Sequence, residues 1–193
     1  VGDLDNGSAK SKVTSCTNSG TITYKTAINN ANGCRFGGVV GNSVSSNEIT
    51  SCINSGDVVN ESACTNPHFG GVLGYASGVI TVTGCICTTD ANIQQKGNAT
   101  EVNMGGIQGA TAGAGSVDNC KSAAVIEKVS GTVTTINAHQ IEGGTYNNQN
   151  LASVKNNGVG GSVLGTAVTS ENYASYISLT GTPTGCYYWD GVL

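Results

Sequence analysis

Three stretches of this chain repeat one another at a fixed internal distance. They are "FGGVVGNSVSSNEITSC" from Phe36, "FGGVLGYASGVITVTGC" from Phe69 and "MGGIQGATAGAGSVDNC" from Met104. From the first glycine of each Gly-Gly pair (Gly37, Gly70, Gly105) to the following cysteine (Cys52, Cys85, Cys120) is 15 residues every time. The return legs vary, at 21 residues from Cys16 to Gly37, 18 from Cys52 to Gly70 and 20 from Cys85 to Gly105. A rigid segment therefore alternates with a tolerant one, and the cysteines Cys16, Cys52, Cys85 and Cys120 recur every 33 to 36 residues. Self-similarity at such a period points to stacked repeats, because a unit this small cannot bury its own apolar face but a pile of units can.

Within the unit, Ile49 and Ile53 flank Cys52, Ile80, Val82 and Ile86 flank Cys85, and Val117 precedes Cys120. That near alternation is the period-2 signal of strands. After each cysteine comes turn material, "TNSG", "INSG", "ICTTD" and "KSAA", and later "KNNG", where Asn and Gly supply positive φ cheaply. The expected fold is all-β. It is a parallel β-helix-like solenoid of about five repeats of roughly 33–36 residues, near 13–45, 46–78, 79–113, 114–150 and 151–170, closed by an aromatic cap over 171–193. In the blurred later copies, Gly143 is the candidate for the fourth glycine pair and Val154 stands where the fifth cysteine would be. The glycine pairs Gly37-Gly38, Gly70-Gly71 and Gly105-Gly106 mark corners where a Cβ would not fit. A β-sandwich is the alternative fold, and it does not account for a spacing held three times.

Composition agrees with short strands. The 193 residues include 29 Gly and 2 Pro, with 10% charged and 5% aromatic. Helix-favouring Leu, Glu and Lys are sparse. Net charge is −4 and Arg35 is the only arginine, which argues against a nucleic-acid surface. No apolar run reaches the ~20 residues of a membrane span. The chain begins at Val1 and carries no signal peptide, as a processed chain or an excised fragment would.

The "FGGVVGNSVSSNEITSCINSGDV" and "FGGVLGYASGVITVTGC" segments resemble GLUG-type repeats, and the closing "GCYYWDG" is similar to the ending that follows such repeats. The resemblance covers roughly Val13 to Gly165 plus the tail. Such repeats occur in large secreted and surface proteins of gut and oral bacteria, often beside adhesin or fimbrial modules. The resemblance implies a β-helix-like fold and a secreted or cell-surface address. It supplies no catalytic residues.

The eight cysteines sort into classes. Cys16, Cys52, Cys85 and Cys120 share a repeat position and read as an inward ladder, where free Cys packs as a small apolar side chain. Cys34 and Cys64 fall in the variable legs of adjacent repeats, whose loops could meet and be joined by a disulfide. Cys85-Ile-Cys87 lacks the spacing and paired histidines of a zinc site, so no metal or other cofactor is expected.

Catalysis is not expected either. Asp57 and Asp90, each five residues after a ladder cysteine, are the one carboxylate pair that stacking would bring near enough for glycoside cleavage. Solvated turn residues explain them as well. His68 and His139 lie in variable segments, and no hydrolase, metalloprotease or phosphate-loop motif occurs. Asn6, Asn60 and Asn98 open sequons and are candidate glycosylation sites, although chance makes sequons in an Asn- and Ser-rich chain. Tyr187, Tyr188 and Trp189 would cap the stack or form a flat sugar platform, for which Tyr24, Phe69 and Tyr75 are further candidates. The function expected is a non-catalytic extracellular structural or adhesive protein, a filament-forming or pilus-like subunit that displays variable loops. Its partners would be further copies stacked end to end, or host and environmental glycans and surface proteins. A glycan-binding module is the alternative, and a glycan-cleaving β-helix enzyme stands third.

Overall fold

A computed structural model describes residues 2–5, 7, 9–25, 33–146 and 148–193. The chain forms an all-β parallel β-solenoid of about four turns. The β-sandwich alternative is therefore discarded. Each complete turn lays down five short strands, and the equivalent strands of successive turns pair into five sheets. Sheet 1 contains Arg35–Gly37, His68–Gly70, Ala99–Gly105 and Val133–His139. Sheet 2 contains Asp3–Leu4, Val40–Ser43, Leu73–Ala76, Gln108–Thr111 and Glu142–Thr145. Sheet 3 contains Lys12–Thr14, Glu48–Thr50, Thr81–Thr83, Ser116–Asp118, Ser153–Lys155 and Pro183–Thr184. Sheet 4 runs from Thr17–Asn18 through Ile53–Asn54, Ile86–Cys87, Lys121–Ser122 and Gly158–Val159 to Tyr187–Tyr188. Sheet 5 runs from Ile22–Tyr24 through Val58–Asn60, Asn92–Gln95 and Val125–Lys128 to Ser162–Val163, which turns back antiparallel onto Thr166–Ala167. Five repeats were expected. After Val163 the chain doubles back antiparallel through Thr166–Ala167 and then adds a partial last turn, with Ser178 bridging Glu142 and Pro183–Thr184 and Tyr187–Tyr188 pairing in parallel onto sheets 3 and 4.

Like residues stack on like. In sheet 3 the register aligns Val13, Ile49, Val82, Val117 and Val154 into one inward column. In sheet 1, Phe36 pairs with Phe69 and Phe69 with Met104. Tyr24, Phe36 and Phe69 form a stacked aromatic file, buried at Phe36 and Phe69 and partly buried at Tyr24, with ring centroids 5.5 and 4.9 Å apart. Burial of these columns is the driving term, at about 25 cal/mol per Å² of apolar surface removed from water.

The cysteine ladder is continuous with the valine column. Cys52 N–H donates to Cys85 Sγ and Cys85 N–H to Cys120 Sγ, both at 3.4 Å. The next rung is Asn157, whose Oδ1 accepts from Cys120 N–H at 2.8 Å. Val154 therefore belongs to the valine column and not to the cysteine position, which corrects the alignment of the blurred copy. Cys186 adds a last rung, its thiol 3.8 Å from the Val154 carbonyl just as Cys120 Sγ approaches that of Val82.

The tight bend lies one residue before the ladder. Ser15, Ser51, Gly84, Asn119, Asn156 and Gly185 all have φ between 54° and 64°. That left-handed residue turns the chain from sheet 3 into sheet 4. The Asn-Ser-Gly triplets that follow bend without positive φ. There the side chain of Asn54 donates to the Gly56 carbonyl at 2.8 Å, and Asn18 to that of Gly20 at 2.9 Å.

The Gly-Gly pairs are sites of close approach. A Cβ on Gly38, Gly71 or Gly106 would collide with the inward side chain of Asn54, Cys87 or Ser122 respectively. In the last turn His139 aligns with Gly105, so Gly143 is not the fourth member of the pair series. It continues the column of Gly41, Gly74 and Gly109, where each Cβ would strike the carbonyl of the glycine in the previous turn or the strand facing it.

Candidate functional site

The variable legs join sheet 5 to sheet 1 in every turn, so all of them leave the solenoid at one edge. They comprise 61–67, 96–98 and 129–132, together with the described part of the first leg, Lys25, Gly33 and Cys34. A Cys34–Cys64 disulfide ties the first two together. Cys64 N–H donates to the Asn98 carbonyl at 3.0 Å, and the Asn98 side chain accepts from Thr132 N–H at 2.8 Å, so the stacking extends into the legs. Glu61 bridges Lys25 at 3.5 Å and Lys96 at 4.0 Å across three turns. A shallow groove of about 330 Å³ runs along this edge between Thr65, Asn98, Thr100 and Thr132.

The expected glycosylation positions fall differently. Asn98 is exposed on this edge. Asn60 ends a sheet 5 strand, is fully buried, and spends its amide on Gln95 Oε1 at 3.0 Å. Asn6 lies outside the described residues. Of the ladder cysteines, Cys52, Cys85 and Cys120 are fully buried, as is Cys87 beside the ladder. Burial pushes the Cys52 thiol up to about 11 and Cys87 to about 12, and it raises Cys120. Cys16, at the first rung, is exposed.

The carboxylate pair does not assemble in register. Asp57 is opposite Asn92, because the turn after Cys85 is two residues longer than the one after Cys52. Asp57 Oδ1 accepts from Asn92 N–H at 3.0 Å and from its side-chain amide at 2.7 Å, while Asp90 sits exposed in the turn. No cluster of three metal-ligating side chains occurs among the described residues.

The aromatic candidates divide too. Trp189 is buried, its Nε1–H donating to the Val192 carbonyl at 2.9 Å, whereas Tyr187 and Tyr188 are each 40% exposed. Phe69 is an interior residue. Tyr75 is covered by Arg35, whose guanidinium carbon lies 3.9 Å from the ring centroid.

That last contact opens onto a polar cluster that the sequence does not advertise. Arg35, His68, Asn103 and Asn137 form a polar column of sheet 1, with His68 and Asn103 fully buried. Asn42 and Tyr75 are strand partners in sheet 2. His68 stacks on Tyr75 at 5.1 Å, and Tyr146 stands edge-on to both. The side-chain amide nitrogen of Asn103 is 3.0 Å from His68 Nδ1, and Asn103 Oδ1 accepts from Asn137 at 2.9 Å. An amide nitrogen can only donate, so Nδ1 accepts and the ring proton is on Nε2. Burial, with Arg35 nearby, drops His68 to about 4 and keeps it neutral. Arg35 Nε, His68 Nε2 and Asn42 Oδ1 have no hydrogen-bond partner.

A second buried group lies under the partial last turn. Glu142, fully buried, accepts from Ser178 Oγ at 2.8 Å and from Thr180 Oγ1 at 2.7 Å, fastening the 178–180 segment to sheet 2. Burial raises its carboxyl to about 7.

No protein-family model, curated protein or solved structure matches the chain. The solenoid implied by the GLUG resemblance is present, and no family is identified.

Proposed function

We propose that this chain is a non-catalytic structural or adhesive module of a secreted or cell-surface protein, a solenoid that carries its variable legs along one edge for contact with a surface glycan or protein. One observation carries the reading. The constant segment of the repeat is spent on buried columns, and every variable leg emerges at the same edge, where a disulfide and an ion-pair chain hold the legs in line. Loops on a rigid scaffold are where recognition concentrates. The disulfide suits an oxidising compartment. The resemblance to GLUG-type repeats favours a bacterial surface setting.

The test is a glycan and surface-protein binding screen with the wild-type chain and a variant whose 61–67 and 129–132 legs carry Gly-Ser substitutions outside Cys64. Binding without turnover of the glycan, lost in the leg variant while its unfolding midpoint holds, supports the proposal. Release of reducing ends by the wild type, abolished in Asp57→Asn/Asp90→Asn, would sink it in favour of the enzyme reading.

End-to-end stacking is a second reading, favoured by the outer strands Lys12–Thr14 and Thr17–Asn18 at one end and Pro183–Thr184 and Tyr187–Tyr188 at the other. Each leaves one edge without a partner strand among the described residues. Open edges recruit strands, and a head-to-tail contact that does not close gives a filament. Negative-stain electron microscopy over a concentration series tests this reading: filaments that lengthen with concentration support it, and short single rods throughout refute it.

A further inference from the structure

We propose that a hollow at the N-terminal end of the solenoid is the socket for Tyr188 of a second copy, which joins tail to head and carries sheets 3 and 4 across the junction in register. The inference rests on the stacking reading and says where and how the copies meet. Three backbone series climb the bend between sheets 3 and 4, and each stops with an open group at both ends. In the first, Ser15, Ser51, Gly84, Asn119 and Asn156 each donate an N–H to the following rung, ending at the Thr184 carbonyl at 2.9 Å. Gly185 is next in line and its N–H meets no acceptor among the described residues, while the Thr14 carbonyl at the other end meets no described N–H. The second series runs from Ile53 N–H on the Cys16 carbonyl at 2.8 Å to Tyr187 N–H on that of Asn157 at 2.9 Å, and it leaves Thr17 N–H and the Cys186 carbonyl open. The third runs from Ser55 N–H on Asn18 to Trp189 N–H on Val159, both at 2.9 Å, and it leaves Ser19 N–H and the Tyr188 carbonyl open. A copy added one rung below offers Gly185 N–H to Thr14, and its Cys186 and Tyr188 carbonyls to Thr17 and Ser19. Every open donor then meets an acceptor, with strand direction and spacing unchanged. Head-to-head contact reverses the strands and breaks all three series.

The side chains fit the same junction. Asn18, Asn54, Cys87, Ser122, Val159 and Tyr188 are one register column of sheet 4, so Tyr188 of the added copy lands over Asn18. There a hollow of about 290 Å³ opens between Cys16, Thr17, Asn18, Ile22, Gly38 and Val39. Ile22 is left 36% exposed at the head of its column and Tyr188 is 40% exposed, and the one contact buries both. Six of the nine large apolar residues exposed among the described residues lie between 164 and 193, so apolar surface gathers at the end opposite the hollow. Charge agrees. Residues 1–35 hold Lys10, Lys12, Lys25 and Arg35 against Asp3 and Asp5, a net +2, whereas 156–193 hold only Glu171 and Asp190, a net −2. Glu48 and Glu61, which pair with those lysines, lie one rung deeper and are less exposed, so the outermost layer is cationic. Ends of opposite charge steer copies head to tail. Sheet 5 closes on the antiparallel Thr166–Ala167 strand, so only sheets 3 and 4 continue. Pro183 cannot donate, which leaves the junction weaker than an internal rung.

The test follows sedimentation velocity and the alkylation rate of Cys16 together over a concentration series of the whole chain. Cys16 lines the hollow and is exposed in the single chain, so a seated Tyr188 covers it. The expected result is reversible association in which Cys16 labelling slows in step with the assembled fraction. Tyr188→Ala should weaken that association at least about tenfold, the usual cost of removing an aromatic anchor. Assemblies whose Cys16 labels as fast as in the single chain, or that form equally well with folded Tyr188→Ala, overturn this junction and leave the stacking reading standing. A chain that stays single at every concentration overturns both. The wild-type labelling decides the matter even if the variant does not fold.

Discussion

Ser51 shows how much of this architecture rests on single backbone choices. It adopts φ 55° at the bend before Cys52, a conformation that costs an L-residue about 1–2 kcal/mol, whereas Gly84 fills the same place one turn on without that strain. Ser51 is exposed, so Ser51→Gly should stabilise the chain by about 1 kcal/mol in denaturant unfolding. A lower midpoint would mean that the bend is not strained. Gly71 is the opposite case. A Cβ there meets the Gly106 carbonyl and Cys87 Sγ, so Gly71→Ala should cost about 1–3 kcal/mol by overpacking. The sequence disclosed the glycine pairs through their spacing. It hid the left-handed bend, because Ser, Gly and Asn share the position and no single letter marks it. The buried titratable residues were equally silent. Glu142 is raised from 4.5 to about 7, so as pH climbs the unfolded chain loses its proton first. The contribution of Glu142 is whole below pH 4.5 and is lost on the way to pH 7, by about 3 kcal/mol. His68 is lowered from 6.5 to about 4, so its contribution is whole above pH 6.5 and is lost as pH falls. Between pH 4.5 and 6.5 the two oppose each other. Glu142→Gln should make stability rise with pH across that window relative to wild type, and His68→Gln should make it fall. Denaturant curves at both ends of the window check this, and parallel pH profiles for all three proteins would contradict it.

At the scale of the element, the inward columns explain why a weakly patterned sequence still fixes its register. Slipping one strand by a residue would turn Val82 out to water and bring Thr81 or Thr83 into the column. The fourth and fifth copies were hard to align from sequence because the column is chemically tolerant. Asn157 replaces a thiol by donating to the Val117 carbonyl at 2.8 Å while accepting from the rung before it. Gln140 stands where the second corner glycine would be, bonding to Ser122 and to the Ala124 carbonyl. These polar substitutes satisfy themselves locally, and a motif search reads them as decay. The Cys34–Cys64 link was legible because both cysteines sit in legs of neighbouring turns. Its sequence separation is 30. Chain-entropy reasoning then gives it about 3–4 kcal/mol, so Cys34→Ser/Cys64→Ser should lower the unfolding free energy by that amount. An unchanged midpoint after the double substitution would show that the legs contribute nothing to the stack.

For the whole molecule, the fixed 15-residue segment was enough to give the fold class, because nothing but repetition along an axis requires it. The number of turns was not legible, since the chain after Val163 keeps the composition of a repeat but adds only a partial turn, doubling back at Thr166–Ala167 before it runs parallel along Glu142 and rejoins sheets 3 and 4. Nor was the Arg35 cluster legible. It is assembled from Arg35, Asn42, His68 and Tyr75, which come from two turns and two sheets and share no motif, and only the stack brings them together. The central claim, that the repeat builds one buried ladder along the axis, can be tested by a single measurement: site-resolved thiol alkylation by mass spectrometry, in native and in unfolded protein. The account predicts fast native labelling at Cys16, slower labelling at the partly covered Cys186, none at Cys52, Cys85, Cys87 and Cys120 until the chain unfolds, and a linked Cys34–Cys64 peptide. Native labelling of Cys52, Cys85 or Cys120 at the rate of Cys16 would contradict it.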